Sequence, residues 1–494
     1  MKKSLLICAS IVLSPTIVLG KETQIGSQNN CKNESKEEEK EKAVKQEDSA
    51  EKPQLIVSGA ASVHSSFGDP DITYYKGNPS GYEKSDKDTS MTRISAGDAN
   101  IEVKAVGKLQ NETQYMAVID VDVMKGDTGV DKLYVSFSRD GLGTFQVGNV
   151  KGPGGKCVKS GQQLLGGTGG LDGTVPSDFD FVAGMFSPIN MIGYSGKATK
   201  GVYYTPRIYG LQAGIAITPD TKQVGHEGKN CRAGSSSNGN DNGLFIQGDG
   251  SQKPSDRSNI ELGLTYEHTF QNGIGLQLSG VYVHGSTRSV NVTSYTQEKD
   301  AEGNIKNNGE KIDRKIKLHN TNSYFLSGTI SYDKWSVGAG YLNNGKSRTP
   351  KDLYDKKTEG TKTGDAEGNG IDKGLTRYEY IGNFLGTDKS NAGRAWNFGL
   401  QYRLNENWTF SGVFHQMRRK VDTNAHTKGN AINLAAEYKV CDGLKLFAEY
   451  AYISTKSCEE ACARYNAIYK EKEKQNAIMK QGANLIVLGA KVSF

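Results

Sequence analysis

Ala99-Asn100-Ile101-Glu102-Val103-Lys104-Ala105-Val106 places Ile101, Val103 and Ala105 on one face of a strand, with Glu102 and Lys104 on the other. The next segment repeats the pattern, with Tyr115, Ala117, Ile119, Val121 and Val123 set against Met116, Val118, Asp120 and Asp122. Side chains of a strand point alternately to its two faces, so this spacing suits a sheet with lipid on one side and water on the other. Such segments come in pairs, joined at one end by a tight turn and at the other by a long polar connection. Alternating turn lengths predict a transmembrane antiparallel β-barrel, with its long loops gathered at one end.

The flanks of this pattern divide the chain of 494 residues. Residues 1–20 begin Met-Lys-Lys and continue into a short apolar stretch, which reads as a signal peptide. Residues 21–53 are rich in Lys and Glu and poor in large apolar side chains, and read as a charged periplasmic tail or linker. Residues 54–494 are the expected barrel. Mean hydropathy is −0.58, yet barrel strands expose an apolar side chain only at every second position, so this average does not exclude the membrane. The net charge of +6 is mild, with acid and base intermixed, and argues against a nucleic-acid partner. No Cys/His spacing resembles a zinc site, and His64, His268, His284 and His319 read as isolated strand residues; no metal or cofactor is expected.

From Leu55 onward about sixteen strand candidates follow, the number at which a barrel keeps an open aqueous channel. They are expected at 55–67, 94–109, 115–123, 133–139, 144–150, 202–205, 211–218, 260–270, 274–284, 324–332, 335–342, 396–404, 408–417, 432–440, 445–453 and 484–494. Gln271-Asn272-Gly273 and Cys441-Asp442-Gly443 are turn signals between two of the pairs. Long connections are expected at 152–200, 219–258, 285–322, 343–393 and 454–482. In the last of these, Glu459, Ala461, Ala463, Ile468 and Ile478 have the composition of a short helix.

Two motifs compete with this reading. Gly340-Tyr341-Leu342-Asn343-Asn344-Gly345-Lys346-Ser347 matches the phosphate-binding loop literally, but Pro350 stands where the required helix would be establishing itself. Gly166-Gly167-Thr168-Gly169-Gly170-Leu171-Asp172 comes near a calcium nonapeptide, with its aspartate displaced and no tandem copy. The bland reading is favoured for both.

Three stretches together resemble the general porins of Gram-negative bacteria. They are Asp140-Gly141-Leu142-Gly143-Thr144-Phe145-Gln146-Val147-Gly148-Asn149, the segment from Val202-Tyr203-Tyr204-Thr205-Pro206-Arg207 to Gly214, and the terminal Gly489-Ala490-Lys491-Val492-Ser493-Phe494. The resemblance implies an outer-membrane homotrimer that passes small hydrophilic solutes and ions by diffusion. Its outside partners would be membrane lipid and the barrel-assembly machinery. It also implies that the loop after the fifth strand folds inward, and Phe179, Phe181, Met185, Phe186 and Met191 in that loop suit packing on an inner wall. Loop acids Asp172, Asp178 and Asp180, facing wall bases Lys104, Lys132 and Arg403, would set the constriction. The family's pore-facing arginine is replaced by Asn149, with Lys151 as a substitute, and its acidic Pro-Glu-Phe-type motif is absent. Cys157 and Cys231 lie in loops flanking one hairpin and are expected to pair as a disulfide. Two other classes fit a barrel: an outer-membrane enzyme such as a phospholipase, and a surface adhesin or antigen.

Overall fold

The computed structural model describes residues 53–75, 82–84, 91–123, 129–173, 191, 193–222, 255–295, 298–299, 305–306, 311–349, 351, 391–420, 426–457 and 477–494. The chain divides into residues 1–49 and 50–494, and everything described belongs to the second part. The expected signal peptide and most of the charged tail therefore lie outside the described residues.

Sixteen strands form the wall: β1 (Gln54–Tyr75), β2 (Met91–Lys108), β3 (Gln114–Asp122), β4 (Gly129–Arg139), β5 (Gly143–Asn149), β6 (Thr199–Tyr204), β7 (Leu211–Asp220), β8 (Asp256–Thr269), β9 (Gly275–Thr287), β10 (Thr321–Tyr332), β11 (Trp335–Asn343), β12 (Arg394–Arg403), β13 (Trp408–Lys420), β14 (His426–Cys441), β15 (Leu444–Ser457) and β16 (Ala477–Ser493). A seventeenth member of the sheet, Tyr82–Lys84, pairs only with the far end of β1. Each strand pairs antiparallel with its chain neighbours, and β1 pairs with both β2 and β16, which closes the circuit. Closure matters because hydrocarbon offers the backbone no hydrogen-bond partner, and an open edge would leave a row of amides and carbonyls unpaired. At the seam, Gly59 and Phe494 exchange both backbone hydrogen bonds at 3.0 Å.

The distribution of side chains is inverted relative to a water-soluble protein. On β8, Ile260, Leu262 and Leu264 are exposed, while Asn259, Glu261, Gly263 and Thr265 between them are buried. Outward aromatics form two belts. Near the short turns, the Trp335 and Tyr402 rings lie 4.4 Å apart, and those of Trp408 and Tyr438 4.9 Å. Toward the long loops stand Tyr341, packed on Tyr324, and Trp396, packed on Phe414. Trp335 and Tyr341 share β11 six residues apart, about 20 Å along the strand, so the two belts stand at different heights on the wall.

Every expected strand is present, but several run further than their alternation. β1 continues to Tyr75 and β16 begins at Ala477, where they pair with each other beyond the apolar band. Outside that band no face needs to be apolar, so the pairing there carries no alternating signal. Ile478, expected in a helix, is therefore in a strand opposite Tyr74; residues 458–476 are outside the described residues. The connection expected as loop at 285–322 contains a hairpin of Val290–Tyr295 with Lys311–Ile316. The phosphate-loop motif ends in a turn, where Ser347 Oγ accepts from the Asn322 amide at 2.8 Å. At the short turns the backbone explains the sequence: Gly443 has φ +85, and a Cβ there would meet the Ser493 carbonyl at 2.5 Å.

The outward residues Ile486, Leu488, Val492 and Phe494 of the seam are all exposed. Deleting Phe494 removes two seam hydrogen bonds and an apolar anchor. It should lower the amount of folded, heat-modifiable protein in the outer membrane far more than deleting residues 32–51, as read by unheated gel electrophoresis of membrane fractions. Equal yields from the two deletions would refute this role for the seam.

Candidate functional site

The site is the lumen at the level of the connection between β5 and β6, whose described residues, 150–173, 191 and 193–198, lie along the inner wall. Its path can be followed by its hydrogen bonds. The Gly154 amide donates to Glu261 Oε2 at 2.8 Å on β8. Two strands on, the Lys159 amide donates to Ser327 Oγ on β10 at 3.1 Å, beside Ser279 of β9. Gln401 Nε2 on β12 donates to the Leu164 carbonyl at 2.9 Å, and the Gly166 amide donates to Ser411 Oγ on β13 at 2.9 Å. The Gly167 amide reaches Glu437 of β14 at 3.2 Å, and the Thr168 amide reaches Glu449 of β15 at 2.9 Å. Loop amides that would otherwise be unpaired thus find acceptors on inward strand positions.

Glu261 holds both ends of this connection. Besides Gly154, it accepts from the Ser195 amide at 3.0 Å and from the Ser195 hydroxyl. Asn259, one inward position away, donates to the Gly193 carbonyl at 2.8 Å. Midway, the loop needs glycine: a Cβ on Gly161 would stand 2.3 Å from the Gly399 nitrogen and 2.8 Å from the Gly338 carbonyl. Ser160 caps the short 3-10 turn Gly161–Leu164, with Gln163 completing a capping box. His415 Nε2 lies 2.6 Å from Gln162 Oε1, which locks the same turn to β13.

The described loop residues also reach the wall of β4 and β5, where Lys197 pairs with Asp131 and Lys156 donates to Gln146 Oε1 at 2.7 Å. Lys132 on β4 meets Asp120 on β3 at 2.5 Å and Glu102 on β2 at 3.6 Å, while Lys104 meets Glu102 at 2.5 Å. Lys104 and Lys132 therefore face the lumen as expected, but each has a carboxylate on its own wall, and the four charges cancel. Arg403 lies at the last residue of β12, exposed beside the short turn, one inward position beyond the Gln401 that touches the loop. Lys151 is exposed at the start of the loop. Asp172 closes the 3-10 turn Gly170–Asp172 against β14, whereas Asp178 and Asp180 are outside the described residues. Gly148 has φ +129, and after it Asn149 turns into the wall and accepts from Thr199 Oγ1 at 2.7 Å, while Phe145 and Val147 face out.

Cys157 carries a free, buried thiol packed over Gly263 and Pro153; Cys231 is outside the described residues. Burial pushes the Cys157 thiol up to about 11. The wall groups that hold the loop, Glu261, Glu437, Glu449, Ser411 and His415, were not among the expected site residues. Their signal was present, because Ile260-Glu261-Leu262 and Ala448-Glu449-Tyr450 show the same polar-between-apolar spacing that selected Lys104.

The Gram-negative porin family model matches residues 56–371. This chain belongs to the Gram-negative porins. It is an outer-membrane channel protein, and the loop-lined lumen is its diffusion path. Among sequence relatives, an uncharacterized protein of Rickettsia prowazekii is 26% identical over 354 residues, covering 65% of this chain and 69% of its own length. One from Rickettsia conorii is 28% identical over 254 residues, covering 44% of this chain and 54% of its own length. Among solved structures, the anion-selective porin of Comamonas acidovorans aligns with 10% identity over 90% of this chain and all of its own, at a TM-score of 0.44. OmpF of Salmonella typhi aligns with 11% identity over 90% of this chain and 98% of its own, at a TM-score of 0.43.

Two outcomes follow from this geometry. Glu261→Ala leaves the Gly154 and Ser195 amides unpaired, at a cost of about 1–3 kcal/mol each, and Gly161→Ala forces the loop off Gly399. Both porin variants should give noisier single-channel currents and faster proteolysis within residues 150–198 than the parent; quiet currents and unchanged cleavage would show that the loop is held elsewhere. Thiolate is the reacting form of cysteine, so in the folded, reduced porin Cys157 should alkylate with iodoacetamide at pH 8 much more slowly than exposed Cys441. Peptide mass spectrometry reads the order, and equal rates would contradict the burial of Cys157.

Proposed function

We propose that this porin conducts small hydrophilic solutes and ions passively, as a homotrimer, through an eyelet bounded by the inward loop on one side and the β1–β5 wall on the other. The observation that carries this reading is the course of the described loop residues: they are held against the inner wall from β8 to β15, so they narrow the lumen. The wall of β2 to β4 presents the charged set Glu102, Lys104, Asp120 and Lys132 to whatever passes. The work assigned to the lumen is selection by size and field, and it requires no catalytic residue, metal or cofactor.

The outer surface supports the trimer. All three Trp residues stand outward on β11, β12 and β13, and the ring-to-ring contacts among the described residues fall on β8 to β14. In the middle of β1 to β3 the outward side chains are instead Ala61, Val63, Ala99, Ile101, Val103, Ala105, Ala117 and Ile119. A lipid-facing arc gains from interfacial aromatics, whereas an arc of short aliphatic side chains suits close packing against another subunit. Residues 1–20 are proposed to direct export, 21–53 to form the periplasmic tail, and the barrel-assembly machinery and outer-membrane lipid to be its other partners.

Asp172, Asp178 and Asp180 are proposed to supply the negative side of the eyelet. Replacing all three by asparagine should move the reversal potential in a salt gradient toward anion preference while single channels and trimers persist. An unchanged potential with intact trimers would remove these acids from the constriction. Absence of any conductance from well-folded native protein would instead favour a barrel that serves as a surface anchor.

A further inference from the structure

Lys156 differs from every other lysine on the lumen side of the wall and loop root with a described contact. Lys104 and Lys132 are paired with Glu102 and Asp120, Lys159 with Glu267, and Lys197 with Asp131. Lys200 is buried and donates to the Gly196 carbonyl at 2.6 Å. The Lys156 ammonium instead donates to the neutral Gln146 Oε1 at 2.7 Å and lies 5.4 Å from the centroid of the Tyr204 ring. Among the described residues it has no carboxylate partner.

The residue is exposed in the lumen, and three of its surroundings are informative. Tyr204 and Gln146, on β6 and β5, fix the side chain from below, so the charge is held in place instead of sweeping through solvent. An ammonium has three donors, and one is used here, which leaves two free for a passing ligand. Partial desolvation against the wall lowers its proton affinity, and the cationic neighbours Lys132 and Lys151 lower it further. Lys132 is already neutralised by Asp120 and Glu102, so its charge is compensated on the wall while that of Lys156, among the described residues, is not.

Its position around the barrel adds to this. Lys156 sits against β5 and β6, while the turn that ends at Asp172 packs on β14, about half of the strand circuit away. A cation without a carboxylate partner on one side of a low-dielectric ring sets a field across the lumen.

We propose that Lys156 is the selectivity-determining cation of this pore, attracting small inorganic anions by direct contact with its free ammonium donors. The proposal rests on the channel reading above. It assigns to a residue at the root of the loop the role first expected of the wall lysines Lys104 and Lys132.

The test uses the full chain reconstituted in planar bilayers in a potassium chloride gradient, with Lys156→Gln, Lys156→Met and Lys156→Arg. Met keeps an apolar stem over Tyr204, so it guards against a Gln variant that assembles poorly. Both neutral variants should lower the chloride-to-potassium permeability ratio by about tenfold, because one unit charge acting through water at about 6 Å favours chloride and disfavours potassium by about threefold each. Lys156→Arg should retain the parental ratio. Neutral variants with parental reversal potential and normal conductance would overturn the proposal while leaving the channel reading intact. A native protein that opens no channels at all would overturn both.

Discussion

A chain that crosses hydrocarbon must satisfy each backbone amide and carbonyl from within itself, and in this protein that requirement is met by closure between β1 and β16. Everything else depends on the ring being complete. The register of the seam, from Ala60 opposite Ser493 to Tyr75 opposite Ala477, fixes which residues of the two terminal strands face inward. Slipping that register by one would turn His64 and Ser66 to lipid and Val63 and Phe67 to water. The outward row of Ile486, Leu488, Val492 and Phe494 resists such a slip, because the membrane accepts only one of the two faces.

Inside the ring the same economy governs the loop. A polypeptide lying along the inner wall carries its own unpaired amides, and polar side chains at inward strand positions receive them. Glu261 is the most consequential, since it is wholly buried and joins the entry and the return of the loop through Gly154 and Ser195. Glu437 and Glu449 serve the far end in the same way. Acids that a reader of composition would count as pore charges are thus partly spent on structure. Their negative charge is met by loop N–H groups, and that alters which charges a solute encounters.

What a solute does encounter is asymmetric. The wall of β2 to β4 shows a neutral set of two acids and two lysines, and the root of the loop shows a cation steadied by Tyr204 and Gln146. The outer face is asymmetric as well, with tryptophan belts over β11 to β13 and short aliphatic side chains over β1 to β3.

The sequence by itself determined the strand order, most outward faces and the positions of the tight turns. On β5 Asn149 shares the parity of Phe145 and Val147, and only Gly148 at φ +129 turns it inward. Period-two alternation is a local property, and Gly443 or Gly273 marks a turn by its own backbone needs. It also set Lys104 and Lys132 on the faces opposite Ile101 and Leu133. Only the tertiary structure decided what those lysines do, because their partners Glu102 and Asp120 come from other strands and pairing across strands leaves no trace in spacing. The same holds for Glu261, whose alternation showed that it faces inward but not that it meets residues 107 and 66 positions away. The extension of β1 to Tyr75 and of β16 back to Ala477 was hidden for a different reason: beyond the apolar band both faces are wet, so pairing there imposes no pattern on the side chains.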